Sequence, residues 1–232
     1  LLFEIKIYMY RKIISQFISL LFLLLINFAS KANSIQTYDF PSIWRTHPFY
    51  IGLSLGYGST DWSQLVAKGT PMEIPLLAVS TPISAGDRGF LYGFVAGYEL
   101  QPHFAIELNY TRFPNTTVVF DPDFYTIKPI VSMRSFTYAY NLVGKFMAQL
   151  GESGFRGFAN AGASFTHRND LLVKGAHICP TFGVGINYVF IKRIMLEMGF
   201  QYYAGYGKAV INPGVNYVPF LYALTLKLAY RF

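Results

Sequence analysis

Charge is scarce in this chain. Asp, Glu, Lys and Arg make up 13% of its 232 residues, while 53% are hydrophobic and 18% aromatic. So few charges cannot cover an ordinary water-soluble domain of this length, and the apolar surplus must be hidden in a large core or in lipid. Cysteine is nearly absent: Cys179 stands alone, so no internal disulfide holds the fold. Long apolar runs are missing too. Beyond the N-terminal segment no stretch approaches the roughly 18 to 20 apolar residues that a spanning helix needs, so any crossing of lipid falls to strands. There is also no cluster of Lys and Arg interleaved with aromatics, which leaves nucleic-acid binding without a basis.

The N-terminal segment carries Arg11 and Lys12, an apolar stretch from Ile18 to Ile26, and then Ser30-Lys31-Ala32 with small residues at the first and third positions. That order is expected of a secretory signal peptide cleaved after Ala32, with residues 1–8 upstream of its Met9. The alternative is an uncleaved anchor helix, against which stand the short apolar stretch and the small-residue site. With residues 1–32 set aside, 15 basic against 11 acidic residues leave a formal charge of +4 in place of +7. Residues 33–47, with Trp44, are expected to form a periplasmic leader into a domain over 48–232.

From Pro48 onward, bulky apolar residues alternate with small or polar ones at period two, the mark of strands with two unlike faces. FYIGLSLGY sets Phe49, Ile51, Leu53, Leu55 and Tyr57 against Gly52, Ser54 and Gly56. The pattern recurs over 90–100, 103–113 and 135–146, less decisively over 155–165, and again over 180–190, 193–203 and 220–232. Each segment has about the length a tilted strand needs to cross a bilayer. Short connections near Pro102, over 151–154 and before Arg193 alternate with long ones over 59–89, 114–130, 166–178 and 204–217. These features predict an all-β fold, an eight-stranded antiparallel up-and-down transmembrane barrel. A soluble lipocalin-type barrel also alternates, but an eight-stranded interior has no room for the Phe, Tyr, Leu and Ile face, which must point outward. Tyr57, Tyr98, Tyr110, Tyr188, Tyr202, Tyr203 and Tyr230 near strand ends are expected to form interfacial girdles.

The stretches GYELQPHFAIELNY (97–110), PTFGVGINYVFIKRIMLEMGFQYY (180–203) and the terminal YRF (230–232) resemble the OmpA-like outer-membrane barrel family. The resemblance covers roughly Pro48 to Phe232. It implies a barrel in a Gram-negative outer membrane, in contact with its lipids and lipopolysaccharide, with long extracellular loops that mediate surface contacts. It implies the barrel domain alone, without the peptidoglycan-binding domain of larger members. Tyr230 and Phe232 resemble the terminal signal read by the barrel assembly machinery.

The inward positions carry the candidate chemistry. Glu107 and Lys145 lie at similar depth, as do Glu197 and Lys227, so each couple is expected to form a cross-strand ion pair. Asn160 and Asn187 are expected in the same layer, with Glu99, Arg156 and Arg231 at the periplasmic mouth. Two readings stand open: a structural plug, and a gate whose ion pairs exchange to admit small solutes. The family resemblance implies a plug or gate of this kind, with Glu107 and Lys145 in matching positions. Glu197 and Asn187 depart from it, and Lys227 is the replacement partner.

Other chemistry is weakly represented. Ser164, His167 and Asp170, with His177, are the nearest approach to a catalytic set, but residues so close in one loop rarely assemble a nucleophile, base and orienting carboxylate. His167 and His177 lack a third metal ligand. No enzyme activity, cofactor or metal is expected. The first long loop contains Trp62, Met72 and the apolar IPLLAV (74–79), read either as packing across the barrel mouth or as a surface for a protein partner.

Overall fold

The computed structural model describes residues 46–62, 82–120, 131–151, 155–171, 174–190, 193–207 and 217–232. The expectations for the signal peptide, the leader with Trp44, and Met72 and IPLLAV lie outside these residues. The chain forms β1 (Phe49–Asp61), β2 (Pro82–Gly86), β3 (Arg88–Gln101), β4 (Phe104–Arg112), β5 (Thr116–Phe120), β6 (Ser132–Gln149), β7 (Phe155–Asn169), β8 (Lys174–Phe190), β9 (Ile194–Tyr203) and β10 (Phe220–Arg231). Among the described residues no helix is long and apolar enough to cross a membrane.

Eight of the strands close into an antiparallel barrel in the order β6-β4-β3-β1-β10-β9-β8-β7, with β6 pairing β7. The seam between first and last strands is uninterrupted from Tyr50↔Arg231 to Asp61↔Phe220. Closure leaves no free edge on the barrel, so the backbone is hydrogen-bonded throughout its wall, as a lipid solvent requires. The two remaining strands, β2 and β5, pair with each other, and β5 also pairs with the start of β6. They carry the β3–β4 sheet past the barrel wall on the side of the long connections.

Burial follows the alternation in the inverse of the usual sense. Leu53, Leu142 and Leu228 are 57%, 58% and 57% exposed, whereas Glu107 and Lys145 are fully buried. In water this arrangement would sacrifice the hydrophobic driving force; in a bilayer each outward side chain meets a solvent like itself. At the short-turn rim the chain leaves β6 through Gly151, whose φ of 64° lies in the left-handed region glycine tolerates. Leu150 N–H donates to Phe155 O at 2.9 Å beside it.

Two expectations are corrected. The connection over 166–178 is mostly strand: β7 and β8 remain in register from Phe165↔Ile178 to Asn169↔Lys174. Its polar residues had signalled a loop, but a strand above the bilayer needs no apolar face to keep its ladder. Tyr203 is not part of a girdle. It is buried inside, within reach of Thr111 Oγ1 at 3.4 Å and accepting from Asn141 Nδ2 at 3.3 Å. Tyr202 points outward, and adjacent strand residues face opposite sides.

Candidate functional site: a lumen filled in three layers

The inward side chains stack in three polar layers. Nearest the short turns, the Glu99 carboxylate sits between two guanidinium groups: Arg156 Nη2 and Arg231 Nη1 both donate to Glu99 Oε1, at 2.9 and 2.6 Å. Arg231 Nε also donates to His47 O at 3.2 Å. Arg156 Nε donates to Asn187 Oδ1 at 2.9 Å. Asn187 therefore belongs to this layer, while Asn160 lies beside the middle one, paired in register with Lys145. The register explains the separation: Asn187 is opposite Arg156, but Asn160 is opposite Gly183, four residues further up β8.

The middle layer is a closed ring of alternating charge. Lys145 Nζ donates to Glu107 Oε1 at 2.7 Å and to Glu197 Oε2. Lys227 Nζ lies 2.8 Å from Glu197 Oε1 and 3.2 Å from Glu107 Oε2. Each lysine thus touches both carboxylates. Lys227 and Glu197 are direct neighbours on β10 and β9, whereas the contacts between β6 and β9 and between β4 and β10 cross the lumen. Two positive and two negative groups cancel, which offsets the large cost of taking them from water.

Aromatic side chains hold the ring in place. Tyr50 O–H donates to Glu107 Oε1 at 2.7 Å, and its ring lies where a Cβ on Gly97 would otherwise project. Lys145 Nζ sits 4.3 Å from the centroid of Phe158, whose own ring packs over Gly185 and Gly199. Glycine at these inward positions makes room for rings that span from neighbouring strands. Above the ring, a cavity of about 20 Å³ adjoins Asn109, Asn141 and Asn160, space for about one water molecule.

The third layer lies toward the opposite end. Arg168 Nε donates to Asp170 Oδ2 at 2.5 Å, and Ser135 Oγ donates to the same oxygen at 3.0 Å. Arg168 Nη1 donates to Tyr217 O at 2.7 Å, and its guanidinium lies 4.5 Å from the Trp62 ring. Trp62 is fully buried, meets Tyr217 edge-on at 5.9 Å and donates from Nε1 to Thr60 Oγ1 at 3.0 Å. Tyr217 O–H donates to Asp61 O at 3.2 Å. Burial, with the Asp61 carboxylate adding to it, pushes the Tyr217 phenol up to about 12.

The Ser164, His167 and Asp170 set does not assemble. Ser164 faces the lumen against Thr166 Oγ1 at 3.0 Å, while His167 stacks on Tyr138 on the outer wall and Asp170 engages Arg168. His177 stacks on Tyr206 and does not share a face with His167. Among the described residues no group of three metal-ligating side chains occurs.

A closed antiparallel barrel with an apolar outer wall and a charge-paired interior defines an integral β-barrel membrane protein. The family model for the outer membrane protein beta-barrel domain matches residues 19–232, and the chain belongs to that family, an integral protein of the outer membrane. It is 26% identical over 215 residues to an uncharacterized protein of Coxiella burnetii, an alignment taking in 79% of this chain and 85% of that one. Among solved structures it is similar to Neisserial surface protein A, with 16% identity and a TM-score of 0.49, covering 79% of this chain and 97% of the other. OprG from Pseudomonas aeruginosa gives 14% identity and a TM-score of 0.48, with 80% and 96% covered.

Proposed function

We propose that the barrel is a closed scaffold displayed in the outer membrane, whose dealings with other molecules pass through its extracellular segments rather than its lumen. The observation that supports this most directly is the charge ring: four charged side chains on β4, β6, β9 and β10, three of them buried, touch one another across the bore. The connections from β1 to β2, from β5 to β6 and from β9 to β10 are then the proposed contact surface, with adhesion or host contact as the role. The test replaces residues 64–80 by a short Gly/Ser link in a cell that displays the protein. The heat-dependent gel shift of the folded barrel should persist and attachment to surfaces or host cells should fall. Unchanged attachment together with steady currents from the wild-type protein in planar bilayers would reverse the reading.

A second reading, a small gated pore, draws on the same ring. Because each lysine already touches two carboxylates, it can release one and keep the other, so an exchange of partners needs no charge left bare. Tyr230 and Phe232, outward at the end of β10, are proposed to serve recognition by the assembly machinery; deleting Phe232 should lower the folded fraction in cells.

A further inference from the structure

The outer wall formed by β3, β4 and β6 is not uniform. Ala96 stands in an outward row whose neighbours are Ile51, Leu108 and Leu142, and the missing bulk opens an apolar recess of about 310 Å³ over it. Phe94, Tyr110 and Tyr140, one row nearer the extracellular end, form its upper border. One row higher still, Tyr92, Arg112, Tyr138 and His167 are successive partners across β3, β4, β6 and β7. Arg112 is thus an arginine on the lipid face, directly above an apolar hollow.

Its height is informative. From Phe146 to Arg134, β6 climbs about 40 Å along the strand, or about 28 Å along the membrane normal at a 45° tilt, slightly more than the ~25 Å apolar band. Arg134 therefore stands at the headgroups, and Arg112 about two rows lower, at the edge of the acyl region. Arg112 spreads its guanidinium 5.3 Å from the Phe136 ring and donates to Asn115 Oδ1 at 3.2 Å, a contact that leaves its charge unneutralised. Lys174 joins the same side: Phe136 is paired with Asn169, and Asn169 with Lys174. Among the described residues the outward positions of β4 to β8 carry no carboxylate. An uncompensated cation at this depth is costly unless an anion comes to it from the lipid.

We propose that this wall binds one molecule of a phosphorylated glycolipid of the outer leaflet, the lipid A portion of lipopolysaccharide, with an acyl chain in the recess over Ala96 and phosphate against Arg112 and Arg134. The two arginines lie four residues apart in register, about 13 Å along the strand, a spacing that calls for a headgroup with two phosphates rather than one. The inference concerns the lipid-facing wall and stands or falls apart from the role of the loops.

The test is native mass spectrometry of the refolded full chain in detergent, with three probes at equal concentration: bisphosphorylated lipid A, the same acylated disaccharide without phosphates, and phosphatidylglycerol. The wild-type protein should carry one bisphosphorylated lipid A. Arg112→Ala with Arg134→Ala should weaken that binding about tenfold or more, as expected for losing two interfacial cations. Ala96→Phe, which fills the recess, should weaken it with the charges intact, and Arg193→Ala at the opposite rim should leave it unchanged. Equal binding of the phosphate-free disaccharide would overturn the proposal on wild-type protein alone. Equal binding of phosphatidylglycerol would overturn the choice of lipid, and an undiminished adduct in the folded double variant would overturn the site.

Discussion

Lys227 reaches across the lumen to Glu107 at 3.2 Å, over a sequence separation of 120 residues. That contact closes the chain Glu107–Lys145–Glu197–Lys227 into one ring. A substitution at any of the four positions should be felt by the other three.

Lys145→Ala leaves Glu107 and Glu197 buried with one lysine between them. The expected loss of stability is about 3–5 kcal/mol, the range for breaking a buried charge pair. Urea unfolding in lipid vesicles, read by the heat-dependent gel shift, measures it. Lys227, whose side chain is 13% exposed against none for Lys145, should lose less when truncated.

Gly97→Ala should act through Tyr50. The new methyl group occupies the place of the Tyr50 ring, and moving the ring gives up the 2.7 Å bond to Glu107. A loss of about 1.5–3 kcal/mol is expected for a hydrogen bond to a charged group. Tyr50→Phe should lose a similar amount, and the double variant should cost clearly less than the sum. Strict additivity in unfolding measurements would count against the link.

Conduction should need two openings. Lys145→Ala loosens the ring but leaves Trp62, Arg168 and Tyr217 packed together above it. Planar-bilayer recordings should therefore be nearly silent for Lys145→Ala and for Trp62→Ala alone, with clear currents from the combination. Currents from either single variant as large as from the double would show that one layer governs passage.

The Trp62 layer should also loosen in alkali. The Tyr217 phenol is raised from 10.0 to about 12 by burial and by Asp61, so the closed state holds its proton more tightly than an open one. Its contribution is complete below about pH 10, declines as pH rises and is gone above about pH 12. In a Trp44→Phe background, Trp62 fluorescence should change over that interval, and Tyr217→Phe should abolish this part of the change. Superimposable titration curves would dismiss the effect.

The alternation made the wall legible from sequence. A face of Leu53, Leu142 and Leu228 opposite one of Ser54, Asn141 and Lys227 leaves little choice about which side meets lipid. Depth along strands likewise brought Glu107 near Lys145 and Glu197 near Lys227, because adjacent strands fix relative height. Contacts across the bore were not legible, since they depend on how far side chains reach over a closed cylinder. Arg168 with Asp170 is not legible because its polar stretch reads as a loop; once that stretch continues a strand, Arg168 alternates inward with Thr166 and Ser164. The five-residue β2 and β5 carry too short a pattern to separate from their surroundings.

The seam between β1 and β10 also makes closure depend on both ends of the domain. Phe232 N–H donates to Phe49 O at 2.8 Å, so the ladder that completes the cylinder joins the earliest and latest segments of the domain. Until the last strand is delivered, β1 and β9 each present a row of open donors and acceptors in a solvent that supplies none. A chain interrupted before Phe220 therefore cannot settle into a smaller version of the same structure. Completeness is thus written into the geometry: a chain without β10 keeps two raw edges where the finished barrel has none.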